Sequence, residues 1–370
     1  MSDDLLYRIA LTMIPGVGGI TAKKLMAAFG SPQAVFDAPS SKLGSILNAN
    51  SKNLDKRKIL KQAEKELAFI NSNNIKALFY TDDDYPRRLN QCEDAPAILF
   101  VKGTTNFNNP KIISIVGTRN ASNYGLSLCR KIVAEIVEKG YKPVIISGLA
   151  YGIDVCAHTA ALSGGLDTVA VMGTPLNKIY PAPHENIARQ IEKQGALVSE
   201  FATCTTVAPG NFVSRNRIIA GLADVTIIVE SSKKGGALLT ANLANSYHRE
   251  VMAFPGRVGD EHSQGCNNLI KSNKAALLES VNDLEYLMNW SAKPKVLQKQ
   301  IEFVNLTEPE QEILNLLKNR DSESIDIIST ETGIPLPELS VFLLNMEFAE
   351  IITVLPGNRY AIKLELKTKS

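Results

Sequence analysis

The chain has 370 residues, 45% of them hydrophobic and 21% charged, with a formal net charge of +2. That length favours two or three domains, and the near-zero charge excludes polyanion binding by bulk basicity, so any such binding needs positive charge placed locally. No apolar run reaches the length of a membrane span. MSDDLLYRIA at the start lacks the pattern of a secretory signal, and five scattered cysteines without a C-x-x-C pair fit reduced thiols in a cytoplasm better than a disulfide framework.

Residues 1 to about 105 read as mostly helical, with one strand near Ala77–Tyr80. Within them, Ile14-Pro15-Gly16-Val17-Gly18 separates the apolar helical stretches Leu5–Met13 and Ile20–Phe29. This is either the hairpin of a helix-hairpin-helix, whose glycines expose N–H groups to a phosphate, or an ordinary helix–helix turn. From about 106 to 290, strand and helix alternate. Strands are expected at Ile112–Val116, Val144–Ser147, Thr168–Val171, Leu197–Ser199, Val225–Val229 and Val251–Phe254. Helices are expected at Gly125–Lys139, Gly152–Ser163, Pro183–Gln194 and Leu238–His248. Several strands are continuous apolar runs, as a parallel sheet covered on both faces requires. The rhythm reads as a Rossmann-like, doubly wound α/β domain. Residues 291–304 are polar and basic and read as a linker.

Residues 305–370 form a third unit. Thr307-Glu308-Pro309-Glu310 fits a capping box at a first helix. A second helix is expected from Ser324, with a turn at Gly333, and a third from Pro335 to about Glu347. Strands Ile351–Leu355 and Tyr360–Lys363 flank a hairpin turn at Pro356-Gly357-Asn358. Three helices and a hairpin suggest a winged helix. Its third helix has no Lys or Arg, which argues against DNA readout and for a protein-contact or structural role.

The chemistry concentrates at turns that follow strands. Gly117-Thr118-Arg119 after the first strand occupies the place of a dinucleotide fingerprint but lacks its G-x-G-x-x-G pattern. Arg119 offers a forked donor to a phosphate instead. Gly148 and Tyr151 lie in the turn Ser147–Asp154, where Tyr151 is the better candidate to stack a base; Tyr124 is a weaker one, and Phe212 reads as core. Arg215 and Arg217 stand at the mouth of the apolar segment Ile218–Leu222. Lys234, Gly235, Gly236 and Ala237 separate a strand from a helix, where free N–H groups and the helix dipole favour an anion. Strand ends form the crevice of an open α/β sheet, so these turns are expected to converge on one locally basic surface.

Catalysis finds little support. There is no Walker A sequence and no G-x-S-x-G elbow. Ser199-Glu200 and Asp154 with His158 lack a third member to orient a nucleophile. Cys156-Ala157-His158 has no second cluster of ligands, so no metal is expected.

Taken in order, Val116-Gly117-Thr118-Arg119 with Tyr124-Gly125, SGLAYGID with Ala157-His158, Gly173, Tyr180-Pro181, Ser199-Glu200, SRNRIIAGLAD, Gly235–Ala241, Phe254-Pro255-Gly256 and Gly265–Ile270 resemble the DNA-processing protein A (DprA/Smf) family. The likeness spans roughly residues 80–280, and the flanking helical (SAM or helix-hairpin-helix-like) and winged-helix-like units match the family's architecture. It implies a non-enzymatic protein without a cofactor that binds and protects single-stranded DNA in natural transformation, forms a homodimer and loads the RecA recombinase. It also implies that the turns above contact DNA. Two departures stand out. Val213 replaces the usual proline after Phe212, and Gly235-Gly236-Ala237-Leu238 replaces Ser-Gly-Ser-Leu, losing two hydroxyl donors. The alternative is a nucleotide-binding enzyme of the lysine-decarboxylase-like phosphoribohydrolase lineage, whose glycine turn precedes a catalytic Glu; no acid follows Gly235-Gly236 here.

Overall fold

The computed structural model describes residues 2–47, 54–290, 306–318, 320, 322–349, 351–355 and 358–362. The chain divides into two compact units, Met1–Ala292 and Lys293–Ser370. The expected linker at 291–304 and the turn residues Pro356 and Gly357 lie outside the described residues.

The first unit is organised by nine strands: β1 (Lys76–Phe79), β2 (Ile98–Gly103), β3 (Ile112–Val116), β4 (Val144–Ser147), β5 (Thr168–Val171), β6 (Gly195–Ser199), β7 (Val225–Ile228), β8 (Glu250–Ala253) and β9 (Ala276–Leu277). They form one sheet in the order β1-β2-β6-β5-β4-β3-β7-β8-β9. From β6 to β9 every pairing is parallel, whereas β2 runs antiparallel to both β1 and β6. Both faces are buried, with alternate residues serving each. Val116, Ile146, Val171 and Ile228 face one apolar layer with Ile218, Leu222 and Ala241. Ile113, Ile115, Ile145 and Ile227 face the other with Cys129, Val133, Ala157 and Leu284. Two buried hydroxyls inside the sheet satisfy each other across neighbouring strands, Ser114 donating to Thr226 at 2.8 Å.

The strands read from sequence are present, and the structure adds β1's partner β2 and the short β9. The apolar run Ala97–Val101 is buried throughout; such a short run fits a buried helix segment as well as a strand, and this one follows a helical region. The sheet therefore begins well before residue 106. Helices Ser2–Thr12, Gly19–Phe29, Pro32–Asp37, Ser40–Leu47 and Lys56–Ser72 pack Ile9, Leu25, Phe36 and Ile70 against Phe79 and Phe100 of β1 and β2. The turn between the first two helices is docked: a Cβ at Gly19 would overlap the Ala95 carbonyl.

A larger difference concerns the segment that contains both central arginines. It is a helix, Pro209–Leu222, where the sequence suggested only an apolar stretch with arginines at its mouth. Proline at the first helical position suits the start, but Gly221 and paired isoleucines obscure the helical period.

In the second unit, helices Glu308–Lys318, Ile325–Thr332 and Leu336–Phe348 surround a core of Ile313, Leu317, Ile328, Leu343 and Met346. Of the expected Thr307–Glu310 capping box the Glu half is present: the Glu310 carboxylate accepts from the Thr307 N–H and from the Thr307 hydroxyl, both at 2.9 Å, so the hydroxyl is turned to the carboxylate and not to the Glu310 N–H. Ser324 caps the second helix, and Gly333 ends it at φ 71°. β10 (Glu323–Ser324), β11 (Ile352–Leu355) and β12 (Arg359–Ile362) make a small antiparallel sheet in the order β10-β12-β11.

Candidate nucleic-acid interface

In this sheet order the chain leaves β3 toward β4 on one side and later returns to β7 on the other. The carboxyl ends of β3 and β7 are thus the topological switch point, where open α/β sheets hold ligands. A cavity of about 660 Å³ lies there. Gly117, Thr118 and Arg119 from the turn after β3 line it, with Gly235, Gly236 and Ala237 from the turn after β7. The helix Pro209–Leu222 supplies Pro209, Phe212, Val213, Arg215 and Asn216.

The two strand-end turns are tied together beneath the opening. Thr118 N–H donates to the Glu230 carbonyl at 2.8 Å. The Glu230 carboxylate is buried and accepts from the Ser122 N–H at 2.9 Å and from the Ser122 hydroxyl. Ser122 Oγ in turn caps the helix Asn123–Glu138 by accepting from Gly125 N–H at 3.1 Å. Glu230 was not singled out from sequence. Its role is to fix one turn on the other, and it does not line the cavity.

The floor is ionic and buried. Arg215 is 4% exposed; its Nη1 donates to the carbonyls of Gly148, at 2.7 Å, and Val171. Burial pulls the guanidinium pKa down to about 10, with Asp154 opposing and Arg119 adding to the fall. Asp154 is shifted upward by burial, against the pull of Arg215 and of N–H donors in its own turn. His158 is fully buried; its pKa falls to about 3 through burial first, then Arg215 and His184. The Thr168 hydroxyl donates to the Ile145 carbonyl, so its oxygen accepts from His158 Nδ1–H at 2.7 Å, which leaves Nε2 unprotonated and without a partner. Two glycines make this packing possible. At Gly148 a Cβ would overlap the Arg215 guanidinium. Gly152 has φ +75°, and a Cβ there would strike the Thr118 carbonyl.

The rim is exposed. Arg119, Lys233 and Lys234 are exposed and pair with no carboxylate among the described residues. The helix Ala237–Ser246 starts at Gly236 without a side-chain cap, and a Cβ at Gly236 would meet nothing within 4 Å. Its backbone is therefore open to the cavity. On the opposite wall Tyr180, 48% exposed, packs on Phe212 with ring centroids 5.1 Å apart.

Of the residues singled out from sequence, Gly117, Thr118, Arg119, Arg215, Gly235, Gly236 and Ala237 line this cavity. Lys234 is exposed in the same turn as Gly235, and Gly148 lies buried under Arg215. Tyr151 is 46% exposed, its ring edge-on to His184 at 4.9 Å and away from the lining. Arg217 is not brought to the cavity: it is ion-paired with Glu200, both side chains 15% exposed. Residues two apart in a helix point about 200° from each other, so one helix cannot aim both arginines at one ligand. Tyr180 was noted in sequence only within the Tyr180-Pro181 pair. Phe212, read as core, forms part of the wall. Nothing in its local pattern separates a core ring from a cavity ring.

Residues 76–289 match the family model described as DNA recombination-mediator protein A. The chain belongs to this family. Residues 304–358 match the DprA winged helix domain, which accounts for the second unit. Among curated relatives, Protein Smf of Synechocystis is 30% identical across 96% of this chain and 98% of its own length. DNA processing protein DprA of Streptococcus pneumoniae is 36% identical over 55% of this chain and 71% of its own. The X-ray structure of the S. pneumoniae protein superposes with a TM-score of 0.64 at 29% identity, covering 76% of this chain and 97% of that one. DNA processing protein A from Helicobacter pylori, whose structure concerns its single-stranded DNA binding mode, gives 0.52 at 26% identity, covering 58% and 95%.

In the winged helix domain, the third helix, Leu336–Phe348, buries Leu339, Leu343 and Met346 and exposes Val341, Leu344 and Phe348. It carries acids and no cation, so it lacks the charge for phosphate contact. Among the described residues no group of three or more His, Cys, Asp or Glu could hold a metal, and no single helix is long and apolar enough to cross a membrane.

Proposed function

We propose that this member of the recombination-mediator family holds single-stranded DNA in the switch-point cavity and acts as a mediator for a RecA-type recombinase in the cytoplasm, working as a homodimer without catalysis. One observation carries this reading. Arg119 on the rim and the Gly236 and Ala237 backbone line one cavity with the aromatic pair Tyr180 and Phe212, and Lys234 stands exposed in the same glycine turn; neither cation is ion-paired among the described residues. A sequence-tolerant single-strand binder needs that combination of cationic track and stacking surface. The loss of two hydroxyls in the glycine turn leaves phosphate contact there to backbone N–H groups and Lys234. Arg215 supports the site from below by fixing the Gly148 carbonyl.

Hydrolysis of a nucleoside monophosphate would need a carboxylate free to act. Asp154, the acid lining the cavity, lies beside Arg215, and the Glu230 carboxylate is occupied by Ser122. Anisotropy titration of a labelled oligonucleotide against its duplex, over a series of salt concentrations, tests the binding reading. Tighter, salt-sensitive binding of the single strand is expected, and equal binding of the two forms refutes it. Recombinase loading is tested by the rate of RecA ATP hydrolysis on single strands coated with single-strand binding protein, which should rise when this protein is added. Release of free base from nucleoside monophosphates would favour the hydrolase.

A further inference from the structure

A second patch stands on the same edge of the sheet, outside the cavity lining. The loop after β8 begins at Phe254 and carries Arg257 and Val258 at its tip. β8 pairs in parallel with β7, so this loop emerges beside the turn after β7, one strand spacing of about 4.8 Å further along the edge. The loops are bonded to one another: Ser231 N–H donates to the His262 carbonyl at 2.9 Å, and Thr118 N–H to the Glu230 carbonyl at 2.8 Å. These bonds join the loop after β8 to the turn after β7, and that turn to the one after β3.

The chemistry of the patch repeats that of the cavity. Arg257 is exposed and has no ion-pair partner among the described residues. Val258 is fully exposed at 101%. Tyr124, at the start of the helix after β3, is 52% exposed, and its hydroxyl reaches the Pro255 carbonyl at 3.4 Å, which holds the ring against the base of this loop. Asp260 is turned inward: its carboxylate accepts from the Ser263 hydroxyl at 3.0 Å and from His262 N–H at 3.1 Å. Glu261 is the acid left exposed on the loop.

We infer that Tyr124, Arg257 and Val258 form a second single-strand subsite, which takes the continuation of the strand held in the switch-point cavity. The inference rests on the single-strand reading above. Tyr124 supplies a face for one base, Val258 an apolar contact beside it, and Arg257 a guanidinium for the adjoining phosphate. A track running from Arg119 across Lys234 to Arg257 follows the strand ends in order. A nucleotide-sized ligand would occupy the cavity alone and would leave this patch bare.

The test is a ladder of oligothymidylates of about 4 to about 16 nucleotides, the range that single-strand folds occupy, titrated against wild type, Tyr124→Ala, Arg257→Ala and, as a cavity control, Tyr180→Ala. The expected result is that Tyr124→Ala weakens the longest oligonucleotides by about fivefold or more, the least a lost base stack produces, and leaves the shortest bound as in wild type. Arg257→Ala should lower the salt slope for long strands by roughly 0.7 and not for short ones. Tyr180→Ala should weaken all lengths. Long-strand binding unchanged in both patch variants, while Tyr180→Ala binds more weakly than wild type, overturns the subsite and leaves the cavity reading intact. Equal weakening at every length also overturns it. Failure of wild type to bind any length overturns both.

Discussion

On the floor of the cavity Arg215, Asp154 and His158 are buried, and Arg215 gives its hydrogen bonds to the Gly148 and Val171 carbonyls. On the rim Arg119 and Lys234 are exposed and pair with no carboxylate among the described residues. Both regions are polar and lie at the same strand ends, yet their cations do different work. A buried guanidinium that fixes two carbonyls holds the turns in place, and its own pKa is already lowered by burial. An exposed one, free of internal partners, keeps its donors for a ligand. Conserving charge sign alone would not distinguish them; burial does.

The contrast can be broken by substitution. The largest effect is expected from Arg215→Ala, which leaves Asp154 buried without its cation and two carbonyls without a donor. Each buried polar group left without its partner costs about 1–3 kcal/mol, so the midpoint of denaturant unfolding should fall sharply. A near-normal midpoint would mean that Arg215 belongs functionally to the rim.

Next comes a pH effect at His158. Its folded pKa of about 3 lies below the ordinary 6.5. Between those values the unfolded chain takes up a proton that the folded chain resists. The stability contributed by keeping His158 neutral is therefore present above about 6.5 and is lost as pH falls toward about 3, by up to ~1.4 kcal/mol per pH unit. Unfolding free energies of wild type and His158→Asn, compared at neutral and mildly acidic pH, should diverge with the steeper loss in wild type. Parallel curves would show that the folded chain binds the His158 proton as readily as the unfolded one.

Rim substitutions should leave folding alone. Tyr180→Ala is expected to weaken single-strand binding by about 1–3 kcal/mol, as one lost stack does, with unfolding little changed. Arg119→Ala and Lys234→Ala should each reduce the slope of log affinity against log salt by roughly 0.7. Their unfolding free energies should stay within about 0.5 kcal/mol of wild type. A stability loss in either variant comparable to that of Arg215→Ala would erase the distinction between floor and rim.

Much of this is legible in the sequence. The apolar runs Ile112–Val116, Val144–Ser147 and Thr168–Val171 are strands with those bounds, because a strand buried on both faces leaves a continuous apolar signature. Turn glycines and Arg119 marked the strand-end crevice. β2 escaped notice because a short continuous apolar run beside a helical region fits a buried helix segment as well as a strand. Tyr151, singled out because it sits in a turn, is 46% exposed, edge-on to His184 and outside the cavity lining. Tyr180 drew attention only as part of a motif, since nothing local to it records that Phe212 stands opposite.

Sequence by itself determined the kind of molecule: a doubly wound sheet with phosphate-suited turns at its strand ends, preceded by helices and followed by a winged helix. Hydrophobic periodicity and turn chemistry are local, so they survive in one dimension. Tertiary structure alone decided which charges are available. Arg215 and Arg217 are two residues apart and identical in chemistry. The helical twist sends one under Gly148 and the other to Glu200, and only the packing around that helix reveals that neither is left as exposed as Arg119. Desolvation and partner geometry depend on residues distant in the chain, which is why the floor could not be told from the rim until the fold was known.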